Sequence, residues 1–254
     1  MSFAPAISTA DALFSVLLTM SPERLERLLT DDPQRAAPWV RAAAACGLTE
    51  AQVRYGRMLL EGRGVTRNPT AALDWFLRAA EAGDAEAGNM VGRCLENGWG
   101  APADPARAAR FYRQAAEDGH AWAQYNLGHL LLDGTGVARD RAAAFGWYRK
   151  AAEADHARAM NLVARCYEEG WGVAADPAAA RDWYRRSADG GYFRGEFNHA
   201  SLLADDDRLD EALARFARAA DRAPPASRLV MGRALCGKAE PRLAALGEEI
   251  LRCW

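Results

Sequence analysis

Apolar side chains between residues 85 and 120 recur at helical spacing in two stretches, separated by a polar, glycine-bearing break. Ala85, Val91 and Leu95 fall on one stripe, which predicts a first helix of roughly three turns. Gly98 ends it, because glycine takes the left-handed conformation at a helix C-terminus cheaply. Asp104-Pro105 opens a second helix, with Asp as cap and Pro in the first turn. Its apolar face is Ala108, Phe111, Tyr112 and Ala115-Ala116, and Gly119 stops it. The alanines let helix backbones approach closely, while the rings fill the space between neighbouring pairs. The stretch reads helix, Gly-x-Gly loop, helix, turn.

This pattern returns every 36 residues. Glycine pairs stand at Gly62/Gly64, Gly98/Gly100, Gly134/Gly136 and Gly170/Gly172, each followed by an aromatic at Trp75, Phe111, Trp147 or Trp183. Small doublets come next at Ala79-Ala80, Ala115-Ala116, Ala151-Ala152 and Ser187-Ala188. A glycine then closes three units (Gly83, Gly119, Gly191), and Asp155 takes the slot in the fourth. A period of this length marks a stack of helix pairs, so an all-α, α/α superhelical solenoid of helix-turn-helix repeats is expected. Four units are expected at 49–84, 85–120, 121–156 and 157–192. Residues 1–48 are expected to hold N-terminal helices, one near 10–20, one starting at Ser21-Pro22-Glu23, and a degenerate half-repeat at PWVRAAAACG. A fifth, degenerate unit is expected over 193–222, its loop four residues shorter at Asp205-Asp206-Asp207-Arg208. Residues 223–254 are expected to form a helical cap, with helices at about 227–236 and 241–252.

Composition narrows the function more than the fold. With 32 basic and 34 acidic residues the net charge is −2, which argues against a nucleic-acid partner. No apolar run is long enough for a membrane span, and the first twenty residues carry Asp11 and no basic residue, unlike an export signal. The five cysteines (46, 94, 166, 236, 253) are odd in number and scattered; Cys94 and Cys166 share a repeat position, a whole unit too far apart for a disulfide. Reduced packing cysteines in a cytoplasmic protein are therefore expected.

Catalytic chemistry finds no foothold. The Gly-x-Gly loops follow helices rather than strands and recur in every unit, so they read as turns and not phosphate cradles. The histidines at 120, 129, 156 and 199 show no two-His helical spacing and no neighbouring Cys pair, which predicts no metal site; His120 and His156, 36 residues apart, read as surface positions of the repeat. No serine lies in a nucleophile elbow and no cysteine has a base near it in sequence. No enzyme activity and no cofactor are expected.

The stretch AWAQYNLGHLLLDGTGVARDRAAAFGWYRKAAEADH (121–156) resembles the Sel-one-like repeat, a relative of the tetratricopeptide repeat, almost position for position. The resemblance covers roughly residues 36–222 and weakens at both ends. Departures are Ala164 for a helix glycine, Asp155 for a terminal glycine, Arg141 for a proline, and the short fifth loop. It implies a right-handed superhelix whose first helices line a concave face, and a bacterial-type adaptor that binds other proteins.

In such repeats positions 2, 5, 9 and 12 of the first helix face the groove, with position 6 close by. Position 2 then gives Glu50, Glu86, Trp122, Arg158 and Arg194; position 5 gives Val53, Asn89, Tyr125, Asn161 and Phe197. Position 9 gives Arg57, Arg93, His129, Arg165 and Ser201, and position 6 adds Asn126 and Asn198. Arginines flanking amides around Trp122 and Tyr125 suit a peptide with acidic side chains or a free carboxylate. The competing reading leaves Arg57, Arg93 and Arg165 solvated, or pairs them with Glu61, Glu96 and Glu168 along the stack. Trp99 and Trp171, between loop glycines, either fold back over the adjoining helix or mark a second contact edge. A different class of function also fits: GRCLENGWG and SADGGYFRGEFN resemble family members that accompany iron- and 2-oxoglutarate-dependent dioxygenases, which implies an enzyme accessory subunit.

Overall fold

The computed structural model describes residues 9–20 and 32–252. The helix start expected at Ser21-Pro22-Glu23 and the thiol of Cys253 lie outside the described residues. Every regular element among them is a helix: α1 (Thr9–Leu18), α2 (Pro33–Ala45), α3 (Thr49–Glu61), α4 (Pro69–Glu81), α5 (Ala85–Asn97), α6 (Pro105–Glu117) and α7 (Ala121–Asp133). There follow α8 (Arg141–Glu153), α9 (Ala157–Glu169), α10 (Pro177–Asp189), α11 (Phe193–Asp205), α12 (Leu209–Arg222), α13 (Pro225–Cys236) and α14 (Pro241–Arg252). The contacts divide the chain into two compact units, one of residues up to 123 with 134–138, the other of 124–133 with 139 onward.

One set of local devices, repeated at the sequence period, builds the helices. Asp32, Asn68, Asp104, Asp140 and Asp176 each cap a second helix, the side chain accepting from a backbone N–H two or three residues on. Proline follows all but Asp140, whose neighbour Arg141 still takes the first helical position. Asp84 and His156 cap the first helices α5 and α9 in the same way.

The core ring lies one residue beyond the aromatic that marks the repeat. Phe76, Tyr112, Tyr148 and Tyr184 are almost wholly buried, whereas Trp75, Phe111, Trp147 and Trp183 are half-buried. Cations cover the three tryptophans: Arg78 lies 4.8 Å from the Trp75 ring, Lys150 4.2 Å from Trp147 and Arg186 3.9 Å from Trp183. The buried rings explain a glycine inside the first helix of three repeats, since a Cβ on Gly92 would stand 2.5 Å from the Tyr112 ring. Ala164 fills that slot in the fourth repeat, and Tyr184 is buried nonetheless. The second loop glycine has a comparable cause: at Gly100, with φ 84°, a Cβ would lie 2.3 Å from the carbonyl oxygen of Pro69, at the start of the preceding second helix.

In the second unit the repeat degenerates but the layering continues. The loop between α11 and α12 is 206–208, without glycine. Glu196 of α11 is buried among three arginines of α12, with Arg215, Arg218 and Arg222 each 3.3 Å from its carboxylate. Phe216, Leu203, Leu235, Leu243 and Ile250 form the core that joins this pair to α13 and α14.

Candidate functional site

In the second unit, side chains from three first helices and from α13 surround a cleft of about 690 Å³. Helix α7 contributes Tyr125 and His129, α9 contributes Arg158, Asn161, Arg165, Glu168 and Glu169, and α11 contributes Arg194, Phe197 and Asn198. Eight residues expected from the repeat pattern thus line one cavity: Tyr125, His129, Arg158, Asn161, Arg165, Arg194, Phe197 and Asn198. Asn126, on the same helix as Tyr125, is half-buried and not part of that lining.

Aromatic surfaces position the cations of the cleft. Arg158 lies 5.6 Å from the Tyr192 ring, Arg194 5.8 Å from Phe193, and Arg165 4.8 Å from Trp171. Each guanidinium thus lies within cation–π range of a ring. Tyr125 packs edge-on to His129, ring centres 4.5 Å apart, and burial pushes its hydroxyl pKa up. Asn198 Nδ2 donates to Asn161 Oδ1 at 2.9 Å, so the two amides orient one another. Asn161 is buried, as is its counterpart Asn89 in the first unit.

Helix α13 supplies a wall that the repeat pattern does not anticipate: Ala226, Ser227, Val230, Met231 and Ala234. Val230 on this wall stays 66% exposed, although it is apolar. Tyr192 and Phe193, at the turn into α11, also line the cleft without having been expected there.

In the first unit the groove positions are differently engaged. Arg57 pairs with Glu86, and His120 Nε2 lies 3.1 Å from the other oxygen of that carboxylate. The His120 hydrogen bond and then the Arg57 charge hold the Glu86 carboxyl below its usual 4.5, against the opposing effect of burial. His120 Nδ1 accepts from the Ala123 N–H at 3.2 Å, so its proton sits on Nε2 and points at Glu86. His120 and His156 are therefore half-buried helix caps and not the surface residues expected from their spacing. Arg93 is exposed, with its guanidinium 5.5 Å from the Trp99 ring, and Trp122 is 43% exposed.

The pairing of groove arginines with glutamates of their own helix is corrected by these contacts. Arg57 finds Glu86 rather than Glu61, while Arg93 and Arg165 lie on Trp99 and Trp171. Glu96 and Glu168 instead accept from the buried hydroxyls of Tyr112 and Tyr184, both at 2.6 Å. The two loop tryptophans are half-buried and act as platforms for groove arginines.

Among the described residues no cluster of three His, Cys, Asp or Glu could hold a metal ion. Burial pushes the thiols of Cys94 and Cys166 up to about 11 and about 12, which leaves them protonated and unreactive at neutral pH. No helix among the described residues is long and apolar enough to cross a membrane.

The Sel1 repeat model matches residues 49–84, 85–120, 123–156 and 157–192. The chain belongs to the Sel1 repeat family. Proteins of this family generally mediate protein–protein interaction, and the fold is an all-α solenoid of the repeat. A Sel1 repeat protein from Oxalobacter formigenes is similar over 91% of this chain and 99% of its own, at 24% identity and TM-score 0.78. A protective antigen with an SLR fold from uropathogenic Escherichia coli is similar over 96% of this chain, at 24% identity and TM-score 0.73. The chain spans 54% of that antigen's length. An immunity protein from Pseudomonas aeruginosa shares 16% identity over 80% of each chain, at TM-score 0.55. At these identities the likeness is one of fold. No curated protein matches the chain.

Proposed function

We propose that this Sel1 repeat protein is a non-catalytic scaffold whose second unit holds an extended, acidic segment of a partner protein in the cleft between α7, α9, α11 and α13. The observation that carries this reading is the convergence of Arg158, Arg165 and Arg194, each on an aromatic ring, around one cavity. A ring-stacked guanidinium loses little conformational freedom on meeting a carboxylate, so more of the contact energy remains as affinity. Tyr125, Phe197, Val230 and Met231 offer apolar surface beside the cations, which suits a segment with mixed acidic and apolar side chains. Glu168 and Glu169 on the rim disfavour a uniformly acidic one.

The test is co-purification with the full chain as bait, followed by mass spectrometry. The triple variant Tyr125→Ala/Arg165→Ala/Arg194→Ala is expected to recover less than about a tenth of the partner, with an unchanged helical circular dichroism spectrum. Equal recovery by wild type and variant overturns the cleft assignment. The stretches GRCLENGWG and SADGGYFRGEFN, which suggest an enzyme accessory subunit, have structural work here: Trp99 supports Arg93, and Ser187 Oγ donates to the Ala157 carbonyl at 2.7 Å.

A further inference from the structure

The buried ring of each repeat follows a rule, and one repeat breaks it. Where the ring carries a hydroxyl, a glutamate at position 12 of the first helix accepts from it: Tyr112 with Glu96, Tyr184 with Glu168. Where position 12 is apolar, the ring is phenylalanine: Leu60 with Phe76, Ala204 with Phe216. The third repeat keeps the hydroxyl of Tyr148 but places Leu132 at position 12. That hydroxyl is fully buried and has no hydrogen-bond partner among the described residues. A phenol left so loses its hydration with nothing in return, and phenylalanine at two equivalent positions avoids that loss.

Tyr148 stands directly behind the cleft. Its ring centre is 5.5 Å from that of His129 and 6.3 Å from that of Tyr125, both lining residues. The equivalent pair one repeat on, Tyr184 with Glu168, lies in the lining itself. Burial of the phenol is no bar to such a contact, since Tyr184 is 2% exposed and is reached by a glutamate from the exposed face. His129 also replaces the arginine found at position 9 in the other three regular repeats, so only the third lacks both charged groups.

We infer that Tyr148 is a recognition residue whose hydroxyl donates to a glutamate side chain of the bound peptide, which takes the place that Glu96 and Glu168 occupy in the neighbouring repeats. The inference rests on the peptide-binding reading of the cleft and gives it a register: the acidic side chain enters at the third repeat, beside His129, with Arg158 and Arg165 beyond it. Leu132 must turn aside to admit it.

The test uses the full chain and two fluorescein-labelled decapeptide pools, amidated at the C-terminus. One carries a fixed central glutamate among randomised alanine, leucine and phenylalanine; the other carries glutamine there. Fluorescence anisotropy of wild type is expected to favour the glutamate pool by tenfold or more. Tyr148→Phe, a residue that two repeats already accommodate, should lose roughly tenfold for the glutamate pool and almost nothing for the glutamine pool. Leu132→Glu, which supplies an internal acceptor, should raise the melting temperature and weaken the glutamate pool to a similar degree. If Tyr148→Phe binds the glutamate pool as wild type does while Arg165→Ala/Arg194→Ala does not, the Tyr148 assignment falls and the cleft reading stands. If wild type binds neither pool, both fall.

Discussion

At the residue scale, substitutions within the repeat test the conformation of each slot. Asp155 stands where three other repeats close with glycine, and it adopts the same left-handed region, φ 58° against 89° for Gly83 and 88° for Gly119. Backbone geometry here is imposed by the turn between repeats, and the aspartate conforms at a cost. Asp155→Gly is expected to stabilise the protein by about 0.5–1 kcal/mol, the strain relieved exceeding the entropy that glycine adds to the unfolded chain. Urea denaturation followed by circular dichroism checks it, and a lower midpoint would refute it. The same scale explains a sequence-level misreading: spacing alone makes His120 and His156 look like surface residues. Their role as caps depends on an imidazole nitrogen lying 3.2 Å from the N–H of the third residue on, a distance that a linear pattern does not encode.

At the scale of the element, capping decides where each second helix starts. The Asp104 carboxylate accepts from the Arg107 N–H at 2.9 Å and precedes Pro105 at the first helical position. Asp104→Ala should cost about 1 kcal/mol, read from chemical denaturation, while Asp104→Asn should cost only a few tenths. Equal losses in the two would assign the effect to charge at the helix N-terminus rather than to the cap hydrogen bond. Helices α3 to α10 could be read from sequence because cap, apolar stripe and terminating residue recur at the same slots, with exceptions only at Leu48 before α3 and at Asp155. The groove-facing role of α13 could not be read, because a helix past the last repeat carries no periodic register from which to infer its exposed face.

For the whole molecule, the near-neutral charge of −2 leaves pH sensitivity to individual groups. Burial, and then the nearby Arg215 charge, push the His199 pKa below its ordinary 6.5. The folded state therefore prefers neutral His199, and stability falls as pH drops through 6.5 towards the lowered folded value. Glu86 has the opposite chemistry and the same direction: its lowered pKa stabilises the fold above the ordinary 4.5, and that stability is lost as pH falls further. Urea midpoints between pH 7 and 3 should decline in two steps, and His199→Gln should flatten the upper one. An upper step unchanged in His199→Gln would remove His199 as its cause.

The repeat is legible in the order of residues alone: its period, its helix pairs, and the family to which it belongs. Those features are local, since a cap, a glycine at positive φ and a stripe of apolar residues each act within a turn or two of chain. It also indicated which first-helix positions would gather arginine, amide and ring. Only the tertiary structure decided how those side chains are used. It set Arg165 on Trp171 and Arg93 on Trp99, bound Glu96 and Glu168 to tyrosine hydroxyls, and closed one side of the cleft with α13. The reason is that a side chain's partner depends on distances between residues many positions apart, which a 36-residue period leaves undetermined. The unmatched hydroxyl of Tyr148 belongs to both levels: the repeat reveals the missing glutamate, and burial makes its absence count.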